Sequence, residues 1–276
     1  MTRSTDGVRR RARRPAVGAF LGVALALAVT GFGSGSVAGA SSGRNDAVDR
    51  LAGRYAHYDV VAYEGDAMKT LIISYGFTDL DEVDGGLVAH DTFCFSEHRS
   101  DQPIKVQMTD AATQAIRPVP VKVKVAVEQG RARVRRPETP TGIGVRLRNP
   151  AKDPLPTDPN DPRIADDDRD GKPGVTASVF ISPELKGDIY LARREIFAYD
   201  ADEQRDGSLT GVVKDRSEQL VVGASNPIFL TQAQWTQHPD LSKSPIILRP
   251  VKRSWDCDRL RAERPALFPP TPEVDW

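Results

Sequence analysis

Apolar residues recur at every second position in short segments separated by turn residues, and this pattern constrains the chain more than any other. In 119–127 (VPVKVKVAV), Val119, Val121, Val123, Val125 and Val127 share one face, with Lys122 and Lys124 on the other. Successive side chains on a strand point to opposite faces, so a period of two marks a half-buried β-strand. The segments 54–63 (RYAHYDVVAY), 69–75 (KTLIISY) and 87–95 (LVAHDTFCF) read as strands too, as do 143–148, 174–181, 188–199, 208–213, 218–223 and 245–251. Asp84-Gly85-Gly86, Gln129-Gly130, Gly187-Asp188 and Asp206-Gly207 supply turns. Helix is expected only at 46–51, near 109–116, near 231–236 and at 254–263. About ten short strands at this spacing predict an all-β fold, either an antiparallel barrel or a sandwich.

The first forty residues follow a different logic. Arg3, Arg9, Arg10, Arg11, Arg13 and Arg14 precede an apolar run from Ala16 to about Phe32, and Ala38-Gly39-Ala40 then gives an A-x-A pattern before Ser41. This is the layout of a secretory signal peptide. The run is too diluted by Gly and Ala for the alternative, a membrane anchor. Paired arginines also raise the twin-arginine export route. Removing residues 1–40 takes away six Arg and one Asp and leaves 32 basic against 37 acidic residues, a net of about −5. Such a charge gives no reason to seek nucleic acid or an anionic membrane, and no later segment approaches a membrane span. The expectation is an exported protein, periplasmic or extracellular.

The two cysteines, Cys94 and Cys257, both fall in the exported part. In an oxidising compartment such a pair is most simply a disulfide. The alternatives are two buried thiols, or a reactive thiol beside His98. A disulfide would fasten a C-terminal tail, 251–276, to a β-domain spanning 41–250.

Residues 149–174 (NPAKDPLPTDPNDPRIADDDRDGKPG) break the strand rhythm, with six prolines and seven aspartates. A loop this long in a compact domain is usually functional, ion-ordered or disordered. Asp166, Asp168 and Asp170 alternate before Gly171, as in D-x-D-x-D-G calcium loops, where three carboxylates converge on a hard cation and the Gly permits the turn. The helix–loop–helix version is not expected: its twelfth position would be Ala177, which offers no carboxylate, and a strand follows. Asp161, Asp167 or a backbone carbonyl is left to complete the shell, and calcium is the cofactor implied. The alternative is a solvated acidic turn.

Enzyme signatures such as G-x-S-x-G, H-E-x-x-H and G-x-x-x-x-G-K-[ST] are absent from the sequence. The four histidines are His57, His90, His98 and His238. His90-Asp91 and Glu97-His98 are adjacent acid–imidazole pairs, but neighbours on a strand point to opposite faces, which argues against partnership. Arg131, Arg133, Arg135 and Arg136 read as the solvated end of a strand.

Leu51-Ala52-Gly53-Arg54-Tyr55, after a helix-like lead from Asp46 to Arg50, resembles the opening of lipocalin-type barrels, with Tyr55 where Trp is usual. The resemblance implies an up-and-down lipocalin-like barrel with a ligand cavity. Asp166 to Thr176 (D-x-D-x-D-G-x-P-G-x-T) is similar to an element before a strand in uncharacterised secreted bacterial proteins and implies no activity. The functional expectation is a non-enzymatic binding or structural protein whose ligand is a small apolar or amphipathic molecule. The rivals are an exported hydrolase with its catalytic groups on separate strands, and a surface interaction module using the acidic loop.

Overall fold

The computed structural model describes residues 36–65, 68–232 and 234–276, so the basic and apolar residues of the expected signal segment, up to residue 35, lie outside the described residues. Helix α1 (Ser36–Leu51) leads into β1 (Gly53–Gly65), β2 (Lys69–Val83), β3 (Gly86–Ser100) and β4 (Lys105–Met108). After α2 (Asp110–Gln114) come β5 (Val121–Glu128), β6 (Arg131–Arg136), β7 (Thr141–Ile143), β8 (Val175–Phe180), β9 (Lys186–Glu195) and β10 (Phe197–Glu203). The chain ends with β11 (Leu209–Asp215), β12 (Glu218–Ala224), β13 (Trp235–Gln237), β14 (Pro245–Val251) and α3 (Cys257–Leu267).

Eight of these strands close an antiparallel barrel in the order β1-β2-β3-β5-β6-β10-β11-β14 and back to β1. The barrel strands therefore follow one another in chain order, with the others as insertions. β12, β9, β8 and β4 form a second sheet, to which β7 adds by pairing with β9. Asp84-Gly85 and Gln129-Gly130 make two-residue hairpin turns with positive φ at both positions, between β2 and β3 and between β5 and β6. A bulge shifts the β2–β3 register at Gly76, where a Cβ would lie 2.1 Å from the Thr92 carbonyl. Only glycine allows that approach.

Among the described residues, apolar side chains from most of the barrel strands pack together inside the barrel. Tyr55, Leu80, Ala89, Val134, Leu209 and Leu248 pack in one buried cluster, and Ala47, Val48 and Leu51 of α1 join it at that end. Ile143, Val175, Ala177, Leu191 and Val221 of the second sheet belong to the same cluster. The other face of β1–β3 is buried as well. Ala56, Tyr58, Val60, Leu71, Tyr75 and Phe95 are covered by Leu260 of α3 and Phe268 of the tail. Burial on both faces explains why RYAHYDVVAY carries apolar residues at both odd and even positions. Phe268 stacks on Tyr58 at 5.2 Å, and Arg261 lies over Phe95 at 3.9 Å. The Cys94–Cys257 disulfide, with Cα atoms 5.4 Å apart, holds α3 to this face. The bond suggests an oxidising environment. Among the described residues no helix is long and apolar enough to cross a membrane.

Several expectations are corrected. The strand expected at 143–148 reduces to β7, with an isolated bridge from Val145 to Ile164. The segment 188–199 is two strands, because the chain passes from the second sheet to the barrel at Ile196. Near 231–236 the described residues form no helix. A 3-10 turn lies earlier, at Pro227–Phe229, and Trp235 opens β13 against the end of β1. Gly187-Asp188 lies within β9, and the turn falls at Ser182–Leu185. Residues 131–136 form β6, a barrel strand in its own right, whose Arg136 is fully buried. Val119 precedes its strand and is exposed.

Replacing both cysteines by serine should leave the β-sheet circular dichroism intact while α3 loosens. The unfolding free energy should fall by about 2–4 kcal/mol, seen as a melting temperature lower by roughly 5–15 °C.

Candidate metal centre and the cleft at the barrel mouth

Asp166, Asp168 and Asp170 lie just before β8, and each brings a carboxylate oxygen within 4.8 Å of the others. Oxygens opposed across a calcium ion, each about 2.3–2.6 Å from it, stand up to about 5 Å apart, so these three fit one hard cation. The backbone sets the convergence. Asp166 accepts from the N–H groups of Asp170 (3.2 Å) and Gly171 (2.9 Å). Asp168 accepts from Thr176 N–H at 2.8 Å, and Asp170 from Lys172 N–H (2.8 Å) and the Thr176 hydroxyl (2.5 Å). Gly171, at φ 81°, turns the chain around the three. The Asp168 Oδ1 atom is buried without a partner among the described residues. Burial and the charges of Asp170 and Asp166 push the Asp168 carboxyl above its ordinary range. A bound cation would offset both effects.

Neither acid expected to complete the shell joins it. Asp161 is held by Arg163 at 2.8 Å. Asp167 turns the other way, accepting from Gly144 N–H at 2.7 Å and pairing with Arg146 at 2.6 Å. Ala177, the twelfth position, is a buried β8 residue paired with Met108 and Ile189. Three carboxylates without a bidentate fourth predict weak binding.

A cleft of about 430 Å³ opens at the end of the barrel away from α1. Tyr63, Ile72 and Trp235 form its barrel side, and Leu220 of β12 adds to the apolar lining. Its outer wall is Pro154–Thr157, part of the same acidic loop. Arg193, Arg194, Ser217, Glu218, Gln219 and Gln234 contribute polar lining. Arg193 binds Glu195 (3.0 Å) and Gln219 (2.8 Å), and Arg194 binds Glu218 (2.5 Å). Beneath the cleft, Tyr63 donates to Asp215 at 2.6 Å, and Ser217 donates to the same carboxylate through N–H and O–H. Burial, with the nearby charge of Glu195, raises the Asp215 carboxyl to about 6. On the other side of Trp235, both ring nitrogens of His98 and the Thr70 hydroxyl are buried without partners among the described residues. Burial, with the positive charges of Arg193 and Arg99, lowers His98 to about 3, so it is neutral.

The remaining histidines do not form the adjacent pairs. Asp91 points inward to Arg136 at 2.7 Å, whereas His90 reaches Asp81 at 3.6 Å. Glu97 binds Arg99 and Arg264, and His238 lies 3.5 Å from Glu64. In the barrel core, Asp59, His57 and Thr78 line up as carboxylate, imidazole and hydroxyl at 2.8 and 2.9 Å. Those are the residue types of a nucleophilic triad. Their exposures of 5%, 1% and 0% deny a substrate access, and the Thr78 hydroxyl donates to Asp91 at 2.7 Å. The sequence pattern places His57 and Asp59 on one strand, 54–63; nothing in the sequence signals that Thr78 of β2 meets them. No family model matches the chain, and no curated protein or solved structure matches it either.

The Asp215 shift has a defined sign. A carboxyl whose folded value lies above the unfolded 3.9 stabilises the fold fully below 3.9, and that contribution is lost as pH rises through about 6. Asp215→Asn keeps the acceptor for Tyr63 and should remove this loss. Relative to wild type, its melting temperature should therefore rise between pH 4 and 6, and an unchanged difference across that range would contradict the assignment.

Proposed function

We propose that this chain is an exported, non-catalytic binding protein that receives a small amphipathic molecule in the cleft at the barrel mouth. A calcium ion held by Asp166, Asp168 and Asp170 would order the wall of that cleft. One observation carries the reading: the loop that brings three carboxylates together also supplies Pro154–Thr157, facing Tyr63 and Trp235 across the opening. The cleft combines aromatic and aliphatic walls with a few fixed polar groups, as small-molecule sites do. Arg193, Arg194 and Gln219 in the cleft lining offer hydrogen bonds to the polar end of a ligand. Export is supported by the N-terminal Arg-rich and apolar pattern, the A-x-A before Ser41 and the disulfide. The up-and-down order of the barrel strands supports a lipocalin-like architecture, with the ligand at the mouth in place of the bore. The packed bore also favours a second reading, a surface interaction module in which the ordered loop meets a partner.

Anilinonaphthalene sulfonate, an amphipathic fluorescent probe, should bind the native protein saturably and about tenfold more weakly to Trp235→Ala. Millimolar calcium should raise the melting temperature by a few degrees through its preference for the folded state and tighten probe binding. Asp168→Ala should abolish both calcium effects and leave the β-sheet spectrum unchanged. Calcium stabilisation without probe binding selects the interaction module, and an absence of both leaves the loop a solvated turn. N-terminal sequencing of the exported product should give Ser41 or a neighbour; an intact Met1 refutes cleavage.

A further inference from the structure

The string of polar side chains inside the barrel has a hydrogen count that can be worked out atom by atom. Arg136 Nε donates to Asp91 Oδ2 at 2.7 Å, and its other nitrogens reach the Phe197 carbonyl (2.9 Å) and the Thr139 hydroxyl (2.6 Å). Asp91 is thus an ionised acceptor, and its Oδ1 accepts from the Thr78 hydroxyl at 2.7 Å. A hydroxyl has a single hydrogen. The 2.9 Å contact between Thr78 and His57 Nδ1 must therefore be donated by the ring, which fixes the hydrogen on Nδ1. That leaves His57 Nε2 facing Asp59 Oδ1 at 2.8 Å. Both atoms are acceptors unless a proton lies between them.

We propose that Asp59 and His57 share one buried proton and that this proton locks the closed barrel, so that the fold loses stability as the medium becomes alkaline. The proton rests either on Asp59 beside a neutral ring or on the ring beside a carboxylate. Either way the string from Asp59 to Arg136 is neutral overall. Without it, a carboxylate would face a ring lone pair in a closed core, a buried charge with no compensation. Burial acts in the same direction, raising the Asp59 carboxyl despite the hydrogen bond from His57.

The charged groups around this proton are otherwise compensated. Asp91 and Arg136 compensate each other, and Glu195, the other charge felt by Asp59, is paired with Arg193. Tyr199 and Tyr55, whose hydroxyls lie in the same interior, are raised by burial and stay neutral. The unfolded chain releases its histidine proton near 6.5, whereas the folded string keeps it. The contribution is therefore complete below about 6.5 and is lost progressively as pH rises beyond that. His98 is neutral in both states above 6.5, and Asp215 is largely ionised there, so neither accounts for the decline.

Asp59→Asn tests the lock, because its amide N–H donates to His57 Nε2 at every pH. With the disulfide intact, the wild-type melting temperature should fall between pH 6.5 and 9 by roughly 3 °C per pH unit, the expectation for one proton in a chain of this size. The Asp59→Asn slope should be markedly shallower. A flat wild-type curve, or an equally steep variant, overturns the proposal. Nitrogen NMR of wild-type His57 at pH 7–8 provides a readout that does not depend on the variant folding. It should show hydrogen on Nδ1 and a strongly hydrogen-bonded Nε2, and a bare Nδ1 overturns the proposal equally.

Discussion

Strand β1 is hydrogen-bonded along both edges, to β2 from Gly53 to Glu64 and to β14 from Arg54 to Asp59. That double pairing turns a sheet into a closed barrel, and the rest of the molecule answers to it. Closure removes the exposed edges that an open sheet would present to other chains. It also places Tyr55, His57, Asp59, Val61 and Tyr63 in an interior where water does not compete. Polar side chains there must satisfy one another or cost stability. The string Asp59–His57–Thr78–Asp91–Arg136 is that solution. The Arg136 guanidinium also lies on the Phe197 ring at 3.9 Å, adding a cation–π contact to a buried ion pair.

The outward face of β1–β3 poses the complementary problem. Tyr58, Tyr75, Phe77 and Phe95 would form a large apolar patch on the surface. Helix α3 and the proline-rich tail cover it, with Phe268 between Tyr58 and Tyr75 and the disulfide as the covalent tie. Trp276, the last residue, donates its indole N–H to Glu64 at 3.1 Å, and its carbonyl accepts from Lys69. The tail is therefore fastened along the barrel wall, although its own sequence has no strand or helix period after Leu267.

At the barrel end away from α1, the insertions become useful. The second sheet contributes Ile143, Leu191 and Val221 to the shared core, and the acidic loop stands over Tyr63 and Trp235. Like charges gathered in that loop repel unless hydrogen bonds or a cation hold them. The structure supplies the hydrogen bonds, and Asp168 Oδ1 is left without a partner. The order of residues 166–171 thus rests on a local balance between repelling carboxylates and the backbone N–H groups that hold them.

The strand period, the Asp-Gly turns, the D-x-D-x-D-G loop and the cysteine pair were legible in the residues, because each depends on local geometry or on compartment chemistry. The sequence by itself determined an all-β chain and pointed to a converging acidic loop and a tether between Cys94 and Cys257. The tertiary structure decided barrel over sandwich, because closure depends on which distant edges pair. It also made 131–136 a barrel strand, where the arginines had suggested a solvated end. Arg136 is buried there only because Asp91, forty-five residues earlier, faces it across the interior. The same holds for the cleft, where Leu155 and Arg193 come from the insertion between β6 and β10 and Trp235 from the one between β11 and β14. Such groups carry no shared spacing in the chain, since what brings them together is the pairing of strands far apart in sequence.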